Sequence, residues 1–229
     1  MKTVRTFAVS DRWRNRWPGA VAGCMLVTGV ANPAIAAALE ERIESIEKGL
    51  RERYSGLDRA AIRALPPFDA YDRFYKQFGQ NYHVLHQVES VALKGKPIPR
   101  RAALVEAAFA EELQSGLLTA MHDADAIGPT ILTDAATGAE TYTLYNGKEA
   151  VLDPDDMFMR DEQGILTSVI KGPAAYGLVT PETTSVAVCI YAPVGIGKDP
   201  VRTHLEAIAE NMRTVTATAE VQLLEVIQA

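Results

Sequence analysis

The apolar positions of this chain change their period partway along it, and that change sets the expected fold class. Leu39, Ile43, Ile46 and Leu50 step by four, three and four, while Glu40, Glu41, Arg42, Glu44, Glu47 and Lys48 occupy the other faces. That spacing predicts an amphipathic helix with a solvated side. Leu65-Pro66-Pro67 breaks the chain, and Asp69–Phe78 (DAYDRFYKQF) predicts a second helix with Tyr71, Phe74, Tyr75 and Phe78 as its core side. Residues 79–95 read as a loop followed by a helix carrying His83, His86, Gln87 and Glu89, as hydrogen-bonding residues of a partly buried helix. From Arg101 to Leu113, the residues Leu104, Val105, Ala108, Phe109 and Leu113 again fall at helical spacing, one face inward. Gly116 stands where a C-cap glycine would end that helix.

Beyond it the pattern shortens to strand-like runs: residues 129–133 (PTILT), 140–145 (ETYTLY), 148–152 (KEAVL) and 157–160 (MFMR). Thr137-Gly138, Asn146-Gly147 and Asp153-Pro154 punctuate them, and Asn146-Gly147 predicts a type I′ hairpin turn because both residues tolerate positive φ. Residues 165–171 and 185–191 (SVAVCIY) are further strands, the second apolar enough for the centre of a sheet. Asp199-Pro200 predicts the N-cap and first turn of a helix that buries Val201, Leu205, Ile208 and Met212 and leaves His204 on the solvent side. A strand over about 220–227 closes the chain. Helices first, then a meander of short strands, define an α+β fold, expected as a single domain over 1–229 with its terminal strands joining the sheets.

The N-terminus supports two readings. Lys2, Arg5, Arg12, Arg14 and Arg16 precede an apolar run from Ala20 to Ala31, and Ala34-Ile35-Ala36 suits a cleavage site, which together match an export signal cut after about Ala36. Against this, Asp11 lies among the arginines, and Trp17-Pro18-Gly19, Thr28-Gly29 and Asn32-Pro33 bracket the run as turns bracket a core strand over about 20–30. The chain contains no apolar run that suits a membrane span, and no metal or cofactor motif stands out.

Hydrophobic content of 48% and charged content of 23% are ordinary for a folded chain, which excludes wholesale disorder. A net charge of −6 argues against broad coating of nucleic acid, but not against docking through a local basic patch. Such a patch exists: Lys94, Lys96, Arg100 and Arg101 surround Gly95, Pro97 and Pro99 on a turn that prolines stiffen. After the helix that follows, a loop delivers His122, Asp123 and Asp125. The two cysteines, Cys24 and Cys189, lie in apolar runs and read as buried free thiols.

Several of these segments carry a resemblance. Lys94-Gly95-Lys96-Pro97-Ile98-Pro99, Ala103-Leu104-Val105-Glu106, the loop ending in Asp123, Thr137-Gly138-Ala139-Glu140, the Asp161–Gly164 turn, Gly172 and Glu182-Thr183-Thr184-Ser185-Val186 follow one another in the order and spacing of a known module. Over about 78–193 the chain resembles the B-three/B-four domain, the editing module of the bacterial phenylalanyl-tRNA synthetase beta subunit. Over its full length it is similar to stand-alone proteins related to that subunit. In those the N-terminal run belongs to the folded domain, which favours the core-strand reading and a cytoplasmic protein.

The resemblance implies a sandwich of stacked sheets with helices on one side. It also implies a free-standing, editing-like domain that binds an aminoacyl ester or aminoacyl-tRNA, with hydrolysis of mischarged tRNA as the family's reaction and without a complete tRNA ligase. The alternative is a non-catalytic module that binds an amino acid, a tRNA end or a protein. On the implied site His122 is the general-base candidate, Asp123 orients it or the substrate's amino group, and Lys171-Gly172 supply backbone donors to an oxyanion. Cys189 stands where the synthetases carry a glutamate for the tyrosine hydroxyl, and Ala120 where they carry a histidine. Lys94, Lys96, Arg100 and Arg101 would meet RNA phosphates. A metal-dependent phosphohydrolase built on His83, His122, Asp123 and Asp125 is a third reading, opposed by the strands over 140–191.

Overall fold

A computed structural model describes residues 6–229, so Lys2 and Arg5 of the export-signal reading lie outside it. The chain opens with strand β1 (Thr6–Val9), helix α1 (Asp11–Arg16) and strand β2 (Val21–Thr28), then runs through five helices: α2 (Ala37–Arg53), α3 (Arg59–Arg63), α4 (Phe68–Lys76), α5 (His83–Ala92) and α6 (Ala103–Ser115). Strands β3 (Thr119–Asp123), β4 (Thr130–Ala135), β5 (Thr141–Thr143), β6 (Glu149–Val151) and β7 (Met157–Arg160) follow. The chain ends through β8 (Ile165–Ser168), β9 (Gly172–Pro173), β10 (Ser185–Ala192), helix α7 (Lys198–Val215) and β11 (Glu220–Gln228). This is the α+β order that the periodicity predicts, and no helix among the described residues is long and apolar enough to cross a membrane.

Two sheets make the body. One runs β1-β4-β7-β8-β9, with β1 parallel to β4 and the rest antiparallel; the other runs β11-β2-β10-β3, antiparallel throughout. They meet face to face, since the Tyr191 hydroxyl of β10 donates to the Thr167 carbonyl of β8 at 3.3 Å and His122 of β3 lies 3.4 Å from the Thr167 hydroxyl. The helices cover the outer face of the second sheet, α7 against β2 and α6 against α7 and β3. Gly23 permits the first of these contacts: a Cβ there would stand 2.7 Å from a Val201 methyl and 3.2 Å from a Leu205 methyl. Alternation along a strand then turns its neighbours Ala22 and Cys24 to the inter-sheet core.

The apolar N-terminal run is thus β2, an inner strand whose residues 21–27 are all buried. It is apolar on both faces because one meets a sheet and the other a helix. Cleavage after Ala36 would remove it together with β1 and α1.

Four expectations need correction. His122 and Asp123 belong to β3, not to a loop, because β10 offers them a partner in register, Ala187 opposite His122 and Val186 opposite Asp123. His204 is buried on α7, with its ring between the hydroxyls of Ser115 (2.9 Å) and Thr119 (2.8 Å). Thr119 donates its own proton to the Leu117 carbonyl, so Nε2 is the nitrogen that carries the imidazole hydrogen and Nδ1 accepts from Ser115. The last helix begins at Lys198 with Gly197 as N-cap, which places Asp199 and Pro200 in its first turn, where a carboxylate meets the helix dipole and a missing N–H loses nothing. The Asn146-Gly147 turn is not type I′. Asn146 keeps a negative φ while Gly147 takes +81°, and the hydrogen bonds Gly147 N–H to Leu144 carbonyl and Leu144 N–H to Lys148 carbonyl enclose three residues. That is the type I turn with a glycine bulge, the next commonest hairpin loop, and Tyr145 rides on it.

Candidate functional site

α6 explains where a ligand could sit. Its apolar stripe divides: Leu104 and Leu113 enter the core, whereas Val105 and Phe109 line a cleft of about 640 Å³ together with Ala108 and Glu112. The positions 105, 108, 109 and 112 recur at helical spacing, so one face of α6 forms a whole wall. The opposite wall comes from Thr167, Ser168 and Val169 at the end of β8 and from Gly172 and Pro173 of β9. Residues 118–121, Tyr191 and the segment Leu178-Val179 supply the rest, with His83, Arg101 and Tyr145 at the edges. Val105, Tyr145 and Leu178 are exposed large apolar side chains, and all three belong to this cleft. Apolar surface left open around a concavity is the usual mark of a binding site.

The walls are fastened by tyrosine hydroxyls. Tyr75 donates to the Val169 carbonyl (3.1 Å), Tyr142 to the Gly172 carbonyl (2.6 Å) and Tyr82 to the Gly116 carbonyl (2.9 Å). Tyr71 donates to the Tyr191 carbonyl (2.6 Å) while accepting from the Leu118 N–H (2.9 Å). Each bond satisfies a main-chain group that irregular backbone would otherwise bury unpaired. The aromatic stripe predicted on α4 therefore does more than fill the core: Tyr71 stacks on Tyr82 at 4.2 Å, and both hold the backbone that shapes the cleft.

Two acidic groups serve the cleft, Glu112 in its lining and Asp156 behind it. Glu112 is only 6% exposed, and its Oε2 accepts from the Thr119 N–H at 2.7 Å. Burial pushes its pKa up to about 8, against the pull of that hydrogen bond. Asp156 is fully buried behind the wall and accepts the Ser168 hydroxyl proton on Oδ2; burial raises its pKa to about 7. The Ser168 oxygen in turn accepts from the Lys171 N–H at 2.8 Å. Neither Glu112 nor Ser168 is among the residues that the sequence singles out.

The sequence-derived residues are scattered by comparison. His122 is 1% exposed between the sheets and does not line the cleft. Its pKa falls to about 4, chiefly by burial, with the Gly177 backbone and the Asp161 carboxylate acting the other way. Asp123 accepts from the Thr183 hydroxyl (2.6 Å) and the Asp125 N–H (2.9 Å), so it holds a turn. Cys189 is fully buried between its strand partners Cys24 and Ala120, and of the three only Ala120 reaches the cleft. Lys171 pairs with Asp153 at 2.7 Å and spends its N–H on Ser168, whereas Gly172 does line the cleft, at φ +97° with open space before it. Of the basic turn, Lys94, Lys96 and Arg101 are exposed and Arg101 reaches the cleft. Arg100 instead binds the Glu47 carboxylate (3.3 Å) and the Ile98 carbonyl. His86 and Glu89 face Arg59, and no three His, Cys, Asp or Glu side chains among the described residues converge as metal ligands would.

Burial of the histidines has a consequence for pH. A folded pKa below the unfolded value of 6.5 means that the unfolded chain binds the extra proton, so the stability is present above pH 6.5 and is lost as pH falls towards 4. For His122 the loss by pH 4 is about 3 kcal/mol. Urea unfolding of His122→Gln at pH 7 and pH 4 is expected to show a difference between the two pH values smaller by about that amount than in the wild type. An unchanged difference would mean that His122 does not titrate in this way.

Two stacked sheets, helices on one outer side and an apolar cleft between them define an α+β sandwich with a ligand-sized site. The chain matches no family model and no curated protein. Among solved structures it is similar to an N-terminal fragment of the phenylalanyl-tRNA synthetase beta subunit from Pyrococcus horikoshii. The TM-score is 0.50 and the identity 12%, over 98% of this chain and 54% of that one, so this chain spans about half the length of that fragment. At that identity the likeness is one of fold. It agrees with the architecture that the sequence resemblance implies.

Proposed function

We propose that this protein is a free-standing, editing-like domain whose cleft seats the aminoacyl group of an aminoacyl ester carried on tRNA. The cleft itself is the observation that carries the reading: about 640 Å³, walled mainly by apolar side chains, with a few polar groups at its end. The fold shared with a synthetase beta-subunit fragment supports the tRNA context. At the mouth, the exposed Tyr145 ring offers a stacking surface for a terminal base, and Arg101 with Lys94 and Lys96 offers charge for phosphates. Arg100 has no part in this, because its charge is already met by Glu47.

A second reading, hydrolysis of the bound ester, is favoured by Ser168. Ser168 is among the cleft residues, and its hydroxyl is hydrogen-bonded to a buried carboxylate whose raised proton affinity suits it to accept a proton near neutral pH. His122 and Asp123 belong to this reading only if the sheets part to expose them.

Binding of charged and uncharged tRNA, across a panel of cognate and mischarged pairs, tests the first reading. At least one charged tRNA is expected to bind tenfold more tightly than its uncharged form, and Ala108→Trp, which fills the cleft, is expected to remove the difference. Equal binding of charged and uncharged forms throughout would sink it. In the same panel, amino-acid release above the spontaneous rate that disappears in Ser168→Ala but survives in His122→Gln would establish the hydrolase. Absence of release would leave a binding module.

A further inference from the structure

The polar end of the cleft contains a group with an unspent bond. Glu112 projects from the wall of α6, and its two carboxylate oxygens differ in circumstance. Oε2 is held by the Thr119 N–H, whereas no donor among the described residues reaches Oε1, which stays open to the cleft. The surroundings are apolar: Ala108, Phe109, Leu118 and Val169 share the lining with it. Open to the cleft, that oxygen can take a ligand donor in place of water.

The charge of that donor follows from the neighbours. Of the arginines, lysines and histidines among the described residues, only Arg101 and His83 line the cleft. Arg101 lies before α6 begins, and Ala103 to Glu112 alone spans roughly 13.5 Å at the helical rise of 1.5 Å per residue, while His83 belongs to α5 and comes within 3.5 Å of the Tyr75 hydroxyl. No cation among the described residues pairs with Glu112, whereas the exposed Arg101 brings a positive charge to the cleft's edge. We infer that Glu112 is a receptor for a primary amine, and that the cleft selects ligands with an apolar body bearing that amine at one end. This rests on the reading of the cleft as an aminoacyl site and deepens it: the α-amino group of the aminoacyl moiety is the donor that Glu112 takes, and the ester points towards Arg101. Burial, which raises the proton affinity of the Glu112 carboxyl, likewise favours a positive charge beside it.

The test uses the full chain with small, stable probes. L-Phenylalaninamide and L-leucinamide carry the amine and an uncharged amide in place of the ester; 3-phenylpropanamide and 4-methylpentanamide are the same molecules without the amine. Calorimetric titration is expected to show that at least one amine-bearing probe binds ten times or more tightly than its partner. In Glu112→Gln, which preserves the acceptor for Thr119, that ratio is expected to fall below threefold, with the affinity of the amine-free probe unchanged. Equal binding of the two members of each pair, or a preference that persists in the variant, overturns the amine receptor and leaves the aminoacyl cleft standing. If none of the four probes binds while charged tRNA is still preferred over uncharged, the amine receptor falls alone. Loss of both the probe binding and the tRNA preference overturns the cleft reading with it.

Discussion

A chain that starts at Ala37 is expected to be unfolded. Such a truncation removes β2, which carries Val21, Cys24, Met25, Leu26 and Val27 as wholly buried side chains between β11 and β10. At about 2 kcal/mol for each large apolar side chain, their burial contributes on the order of 10 kcal/mol, comparable with the entire stability of an ordinary domain. The backbone loss compounds it. Among the described residues β11 pairs with no strand except β2, so its main-chain groups would lose their ladder, and one edge of β10 would be bared. Far-ultraviolet circular dichroism and thermal melting of residues 37–229 check the expectation. A cooperative transition with native-like signal would show that the sheet can form without its inner strand.

Tyr71→Phe is expected to have the largest effect of any single-atom change in the protein, a loss of about 2–4 kcal/mol. The hydroxyl is a two-way link: it donates to the Tyr191 carbonyl and accepts from the Leu118 N–H, and the tyrosine is completely buried. Its removal therefore leaves two main-chain groups unsatisfied, each at about 1–3 kcal/mol, in a place that water does not reach. In a domain of this size the melting temperature should fall by roughly 5–12 °C. Tyr75→Phe is the matched comparison, since it deprives one main-chain group, the Val169 carbonyl, and a long 3.5 Å contact to His83, and about 1 kcal/mol is expected there. Leu118 and Tyr191 both line the cleft, so Tyr71→Phe should also weaken any ligand bound in it, although Tyr71 itself does not line it. Equal, small effects from the two substitutions would mean that Leu118 and Tyr191 find other partners.

The helices and most strands are legible in the sequence because their apolar periods are pure. MFMR at 157–160 and the apolar run of β10 appear where the pattern puts them, and the VAGCMLV run is a strand because turns bracket it. β3 is not legible. TAMHD has no clean alternation, and its strand state comes from a partner, β10, more than sixty residues away. The site fails for a related reason. Acidic positions on a helix are read as solvated, and Glu106, Glu111 and Glu112 are all buried instead. The one signal was present: α6 contains no lysine or arginine between 103 and 115 to pair with those acids, and alanine fills much of the remainder. A helix of that composition has no face built for water. His122 stands out in the sequence by its chemistry alone, and the register of β3 against β10 turns it into the sandwich and away from the cleft.

The placement of β2 governs the order in which the molecule can be made. A ribosome delivers this strand (Val21–Thr28) long before either of its neighbours, β10 (Ser185–Ala192) and β11 (Glu220–Gln228). Until then an apolar ribbon with two open edges waits on the nascent chain, a template for pairing with the wrong partner. The second sheet is completed only once β11 has emerged. Helper proteins that shield extended apolar segments should therefore matter more to the yield of this protein than to that of a helical bundle of equal length, whose contacts close as each hairpin appears.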